Sequence, residues 1–343
     1  MIRNYLLLLL SCLVISTAPL LKAAEDTPGI SYLGQNPPGD EARLFAPGIV
    51  SNGFNNRDVA MMPDGSEFYF AVNMRNFDLS TIVTVQRSGN GWSEPEVAPF
   101  ARDWNTKYLE PAISPDGSRF FFVASPRGTN NNNGNNNNDI WVMDRETTGW
   151  GNPVRLGDKI NTPVSETFPS ITNDGTLYFS RVGEDAGVEY IYRSRLVEGN
   201  YTVAEKLPDN VNCGKTQFNA FIAADESYLI VSVYGREDSI GSIDYYIVFR
   251  SQDDEWSEPI NLGDKINTPG AQEYSAFVSR DGKYFFFMST RLPNDENLGD
   301  ENPDHDSYSL KGLTRIFNSP ENGNSDIYWM DAGFIEKLRP DGF

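Results

Sequence analysis

"YLEPAISPDGSRFFFVASPR" at residues 108–127 and "QEYSAFVSRDGKYFFFMSTR" at residues 272–291 share one plan: an apolar run, an Asp-Gly step, a second apolar run and an Arg. Asp-Gly between aromatic and β-branched runs signals a hairpin, because Gly supplies the positive φ that such turns require. Three further copies occur, "NNRDVAMMPDGSEFYFAVNMR" at 55–75, "SETFPSITNDGTLYFSR" at 165–181 and "TQFNAFIAADESYLIVSVYGR" at 216–236. The turn aspartates are therefore Asp64, Asp116, Asp174, Asp225 and Asp281, spaced by 52, 58, 51 and 56 residues. Only the Asp225-Glu226 copy lacks the glycine.

A third apolar segment follows each hairpin: "TIVTVQ", "DIWVMD", "YIYRSR", "DYYIVF" and "DIYWMD". A fourth follows in most copies, introduced by "GWSEP", "GWGNP" or "EWSEP". Four short strands repeating every 50–58 residues predict β-propeller blades. Five hairpins predict five blades, and a sixth would need a hairpin that the sequence lacks. "LFAPGIVSNG" at 44–53 resembles the outer strand and crossing of a blade, yet no hairpin precedes it. It is expected to complete the last blade and so remove the open edge of the ring. The octapeptide "LGDKINTP", identical at 156–163 and 262–269, is read as an outer-strand end plus the crossing to the next blade. The expected fold is all-β, a five-bladed propeller of four-stranded antiparallel blades closed by an N-terminal strand.

The repeats resemble the PD40 family, the WD40-like repeats of TolB-type propellers in exported bacterial proteins. The resemblance rests on "ISPDGSRFFFVASPR…DIWVMD" and "VSRDGKYFFFMSTR…DIYWMD" and spans about residues 42–332. It implies envelope assembly, binding, or glycan chemistry on a propeller, without choosing among them.

The N-terminus, "MIRNYLLLLLSCLVISTAPLLKAAED", has Arg3, an apolar run and small residues at Ala23 and Ala24, the layout of a secretory signal peptide. "LLSC" offers lipidation at Cys12 as an alternative. Export to the periplasm or outside the cell is expected. No later stretch approaches the ~20 apolar residues of a membrane span. A net charge of −20 disfavours nucleic acid and anionic membranes as partners. Loss of the leader would leave one cysteine, Cys213, so the fold must be held by its core and not by a disulfide. The expected organisation is a signal peptide at 1–23, a linker at 24–41, the propeller at 42–335 and a tail at 336–343. Within the propeller, 42–53 is the closing strand and 292–325 a long insertion. A monomer is expected.

Antiparallel strands bring the start of each first strand and the end of each second strand to one rim. There the sequence places Arg75, Arg127, Arg181, Arg236 and Arg291 beside Asp58, Glu110, Glu166, Gln217 or Asn219, and Glu273. Asp139, Asp244 and Asp326 open third strands on the same rim. An Arg in every copy reads first as an Arg–carboxylate clamp and second as a polar pocket at the channel mouth. The insertion holds the one histidine, His305, and Asp300, Asn302 and Asp304 at the alternate spacing of a calcium loop. His305 takes the usual glycine position of that loop, and Lys311 the closing carboxylate position. No cofactor beyond that broken calcium pattern is implied. Nucleophile-elbow, zinc-protease and phosphate-loop motifs are missing. Two functions remain: a non-catalytic binding or scaffolding propeller that engages a glycan or envelope protein, or a glycoside hydrolase or polysaccharide lyase using rim carboxylates and Arg.

Overall fold

The computed structural model describes residues 32–89, 91–127, 137–185, 187–292 and 309–343. The signal-peptide residues, Cys12, His305 and the calcium candidates Asp300, Asn302 and Asp304 lie outside the described residues. Five antiparallel sheets form a five-bladed propeller. The first strands, Asn55–Met61, Thr106–Ile113, Glu166–Ile171, Thr216–Ile222 and Glu273–Val278, neighbour one another around the channel. Each turns back into a second strand at the expected aspartate. That side chain accepts the backbone N–H two residues on, at 2.9–3.2 Å in all five turns. Gly65, Gly117, Gly175 and Gly282 take φ of 68–84° in these turns, and Glu226 takes 62° where the glycine is missing. Its carboxylate meets Tyr178 Oη at 2.7 Å and Arg250 at 3.0 Å, contacts that offset the strained backbone.

The runs "FFF" are explained by burial on both faces. In Arg119–Pro126, Phe120 and Phe122 pack toward blade one, while Phe121 and Val123 pack toward blade three. In Tyr284–Ser289, Phe285 and Phe287 face blade four and Phe286 faces blade one. Side chains alternate along a strand, so a sheet packed between two neighbours needs apolar residues at every position. One apolar cluster results at each blade interface.

Blade five is completed by the N-terminus, with Arg43–Leu44 paired to Trp329 and Tyr328. "LGDKINTP" acts as an inter-strand staple. The Asn161 side chain accepts from Ile140 N–H and donates to the carbonyls of Ile140 and Leu156, while Asn267 repeats the bonds to the Tyr245 backbone. Asn212 does the same in "LPDNVNC", where the sequence likeness is slight.

Three segments differ from the sequence reading. Residues 32–41 are not a free linker, because Tyr32 and Leu33 are buried against Tyr284, Phe286 and Trp329. The last residues pack too, with a helix at Phe334–Lys337 and both Leu338 and Phe343 against the blade four–five core. The insertion contains a helix, Leu310–Phe317, capped by Ser309.

Candidate functional site

The channel opens on the rim expected from the sequence into a cavity of about 530 Å³. Its walls follow a fixed register. The residue seven positions before each turn aspartate lines the mouth: Arg57, Leu109, Thr167, Phe218 and Tyr274. One position later every first strand has a β-bulge, and the bulged residue has positive φ in all five blades: Asp58, Glu110, Phe168, Asn219 and Ser275. Five non-glycine residues in that region cost stability unless something fixes them there.

What fixes them is a belt of polar contacts around the channel floor. Arg57 Nε donates to Asp58 at 2.7 Å and Nη2 to Glu110 at 3.0 Å. The other Glu110 oxygen accepts from Phe168 N–H at 2.7 Å. In the opposite direction Ser275 Oγ donates to Asp58 at 2.5 Å, and Asn219 Nδ2 reaches Ser275 at 3.1 Å. The belt joins all five blades. Arg57 is buried, with its guanidinium carbon 4.7 Å from the Tyr274 ring centre and 5.5 Å from that of Phe77. Burial, with Asp58 and Glu189 nearby, pushes the Glu110 carboxyl up to about 8 against the pull of Arg57.

Above the belt stands Glu189, which the rim set had omitted. It opens the third strand Glu189–Ser194, and Asn138 and Ile243 line the cavity from neighbouring blades. Its carboxylate makes one long contact, 3.4 Å from Thr167 Oγ1, and burial raises its pKa. "VEYIYRSR" hides this residue, because Tyr190 and not Glu189 occupies the place of Asp139 and Asp244. Those aspartates serve the rim itself: Asp139 pairs with Arg155, Asp244 accepts from Ile240 and Gly241 N–H, and Asp326 accepts from Glu321 N–H.

The rim residues named from sequence separate into two layers. Glu110 and Asp58 belong to the belt. Glu166 and Glu273 lie two residues earlier in the repeat and clamp crossings. Glu166 meets Arg181 at 2.8 Å and Thr162 Oγ1 at 2.6 Å; Glu273 meets Thr268 and Ser289, with Arg291 at 3.7 Å. Arg181 and Arg291 also donate to the Ile160 and Ile266 carbonyls of the two octapeptides. Gln217 holds the Glu189 carbonyl and Arg236 holds Asp238 and the Cys213 carbonyl. A common clamp does not extend to blades one and two. Arg127 stacks on Trp104 and, like the exposed Arg75, comes only within 3.8 Å of Asp78. Tyr108 and Asn56 stand where Glu166 and Glu273 stand elsewhere, so those arginines have no buried acid to bind.

Arg181→Ala should therefore destabilise the fold by about 3 kcal/mol, because it strands the buried Glu166. Arg75→Ala should change it by less than about 0.5 kcal/mol. Denaturant titration of both variants checks the split.

Burial also lifts Glu273 to about 7 and Asp326 to about 6. With Glu110, these folded-state carboxyls hold protons that the unfolded chain has released by about pH 5. Their stabilisation is complete below the unfolded pKa and is lost as pH rises through 6–8. The melting temperature should fall from pH 5.5 to pH 8.5, and Glu273→Gln should flatten the fall near pH 7.

Among the described residues no cluster of His, Cys, Asp and Glu is arranged to hold a metal ion, and no helix is long and apolar enough to cross a membrane. The chain matches no protein-family model and no curated protein. Similar solved structures include an α-L-arabinofuranosidase from Lactobacillus brevis, at 11% identity over 81% of this chain and 90% of that one, TM-score 0.48. TolB from Acinetobacter baumannii is similar at 15% identity over 81% of this chain, TM-score 0.46, and the match spans 57% of the TolB chain. A thermostable family-43 glycoside hydrolase is similar at 13% identity over 90% of this chain and 94% of that one, TM-score 0.46.

Proposed function

We propose that this protein is an exported, non-catalytic propeller whose PD40-type repeats present a saccharide-binding site at the channel mouth. The observation that carries the reading is the charge balance of the cavity. Its two cations are Arg57, already held by Asp58 and Glu110, and Lys107, whose charged form burial disfavours against the pull of Asp78, so neither is a strong partner for an anionic ligand. Glu189 is disfavoured as a charged group by burial, which argues against a cationic one. What remains is a concave site with carboxyl, hydroxyl and amide groups from Glu189, Thr167, Asn138 and Gln272 beside the rings of Phe218 and Tyr274. Convergent donors and acceptors next to apolar faces suit a neutral polyol.

Calorimetric titration of the folded chain with a panel of neutral mono- and oligosaccharides tests the reading. At least one should bind, and Glu189→Gln or Phe218→Ala should weaken it tenfold or more while melting stays near wild type. Absence of binding across the panel, or binding indifferent to both substitutions, would overturn it.

A second reading, a glycoside hydrolase, is favoured by the raised pKa values of Glu189 and Glu110 across from Asp58, since a general acid must hold its proton near neutrality. Reducing-end release from the bound saccharide, lost in Glu189→Gln, would select it. A lyase is less favoured, because among the described lining residues the one cation outside an ion pair, Lys107, has its charge disfavoured by burial.

A further inference from the structure

We infer that the ligand is a chain and not a single sugar, and that it runs outward from the channel mouth across aromatic pads on blades one and two. This rests on the saccharide reading of the mouth and extends it. Among the described residues, every exposed aromatic ring belongs to the mouth face: Phe54, Phe77, Trp104, Tyr234 and Phe317. Each lies at the start of a first strand, the end of a second strand or the loop after it. The hairpin face has none. Single exposed rings are ordinary on a protein surface; it is their confinement to the face that carries the cavity that points to a ligand.

Their arrangement is continuous with the cavity. The Phe77 ring covers Arg57 in the cavity wall, and the next residue, Asp78, lies 3.8 Å from Arg127. Arg127 in turn sits 4.1 Å above the centre of the Trp104 ring, which is 65% exposed. On the other side of blade one, Phe54 follows Gly53, whose carbonyl accepts from Asn322 and Asn324 at 3.0 and 2.9 Å. Asn322 also bonds the carbonyl of Phe317, so these two rings are held at one junction. The pads are single rings separated by Asp, Asn and Arg, not one contiguous apolar patch. Rings set apart by polar side chains suit a repeating polymer whose sugar faces stack on them while its hydroxyls meet the groups between. A protein partner would call for a merged apolar centre with a polar rim.

The test uses linear series of one to six residues of xylo-, cello-, laminari- and arabino-oligosaccharides, titrated into the wild-type chain and into Trp104→Ala/Phe54→Ala. Both replaced rings are exposed, and a thermal melt confirms folding. In the series that binds, affinity should rise at least tenfold between one and six residues. The double substitution should remove most of that gain and leave the monosaccharide affinity within twofold. Affinity independent of length, or a gain untouched by the double substitution, overturns this inference and leaves the mouth reading standing. Failure of every series to bind overturns both.

Discussion

Arg57→Ala should be the most damaging single substitution in this chain, lowering stability by about 3–5 kcal/mol, because it leaves the buried Asp58 carboxylate without its cation and the buried Glu110 carboxyl without its guanidinium partner. Asp58 and Glu110 both lean on that one guanidinium, at 2.7 and 3.0 Å, and Asp58 also accepts from Ser275 of blade five. Loss of Arg57 breaks the belt where blades one, two and five meet. Arg57→Met combined with Asp58→Asn and Glu110→Gln removes charge from both sides and should recover most of the loss, since a neutral floor has nothing left unpaired. Denaturant titration of the single and triple variants decides this. A triple variant no better than the single one would mean that Arg57 acts through packing on Tyr274 and Phe77 instead.

Removal of residues 42–53 should produce a chain that aggregates or fails to fold. Arg43–Leu44 is the outer strand of blade five, and without it Asp326–Asp331 becomes an open edge. Phe45 and Val50 are fully buried in the blade five–one core, and Ser51 Oγ both donates to the Ile327 carbonyl and accepts from its N–H. Phe45→Ala alone should cost about 3–5 kcal/mol. Size-exclusion chromatography and thermal melting check both variants. A truncated chain that stays monomeric and melts with the parent would contradict closure by the N-terminus.

The blades were legible because a turn aspartate and its apolar flanks recur, and each is imposed by backbone geometry that every blade shares. The mouth was less so. Asp58 and Glu166 look alike beside an apolar run, yet one is six and the other eight residues before its turn aspartate. The bulge at that point sends the first to the channel floor and the second to a crossing. Counting back from the turn would have separated them, and would have picked out Arg57, Thr167 and Tyr274. Glu189 carried no such signal, since its blade has Tyr190 in place of the strand-opening aspartate. The helix Leu310–Phe317 was hidden because it is short and follows an acidic, loop-like stretch at 295–306.

The ligand is placed at the mouth beside Glu189, and not at the clamps or the hairpin end. A crystal structure of the chain soaked with the saccharide that binds most tightly tests this directly. The expected density is a sugar ring against Tyr274 or Phe218 with a hydroxyl on Glu189. A sugar seated instead at the opposite channel end, among Ile113, Phe221 and Phe277, would contradict it.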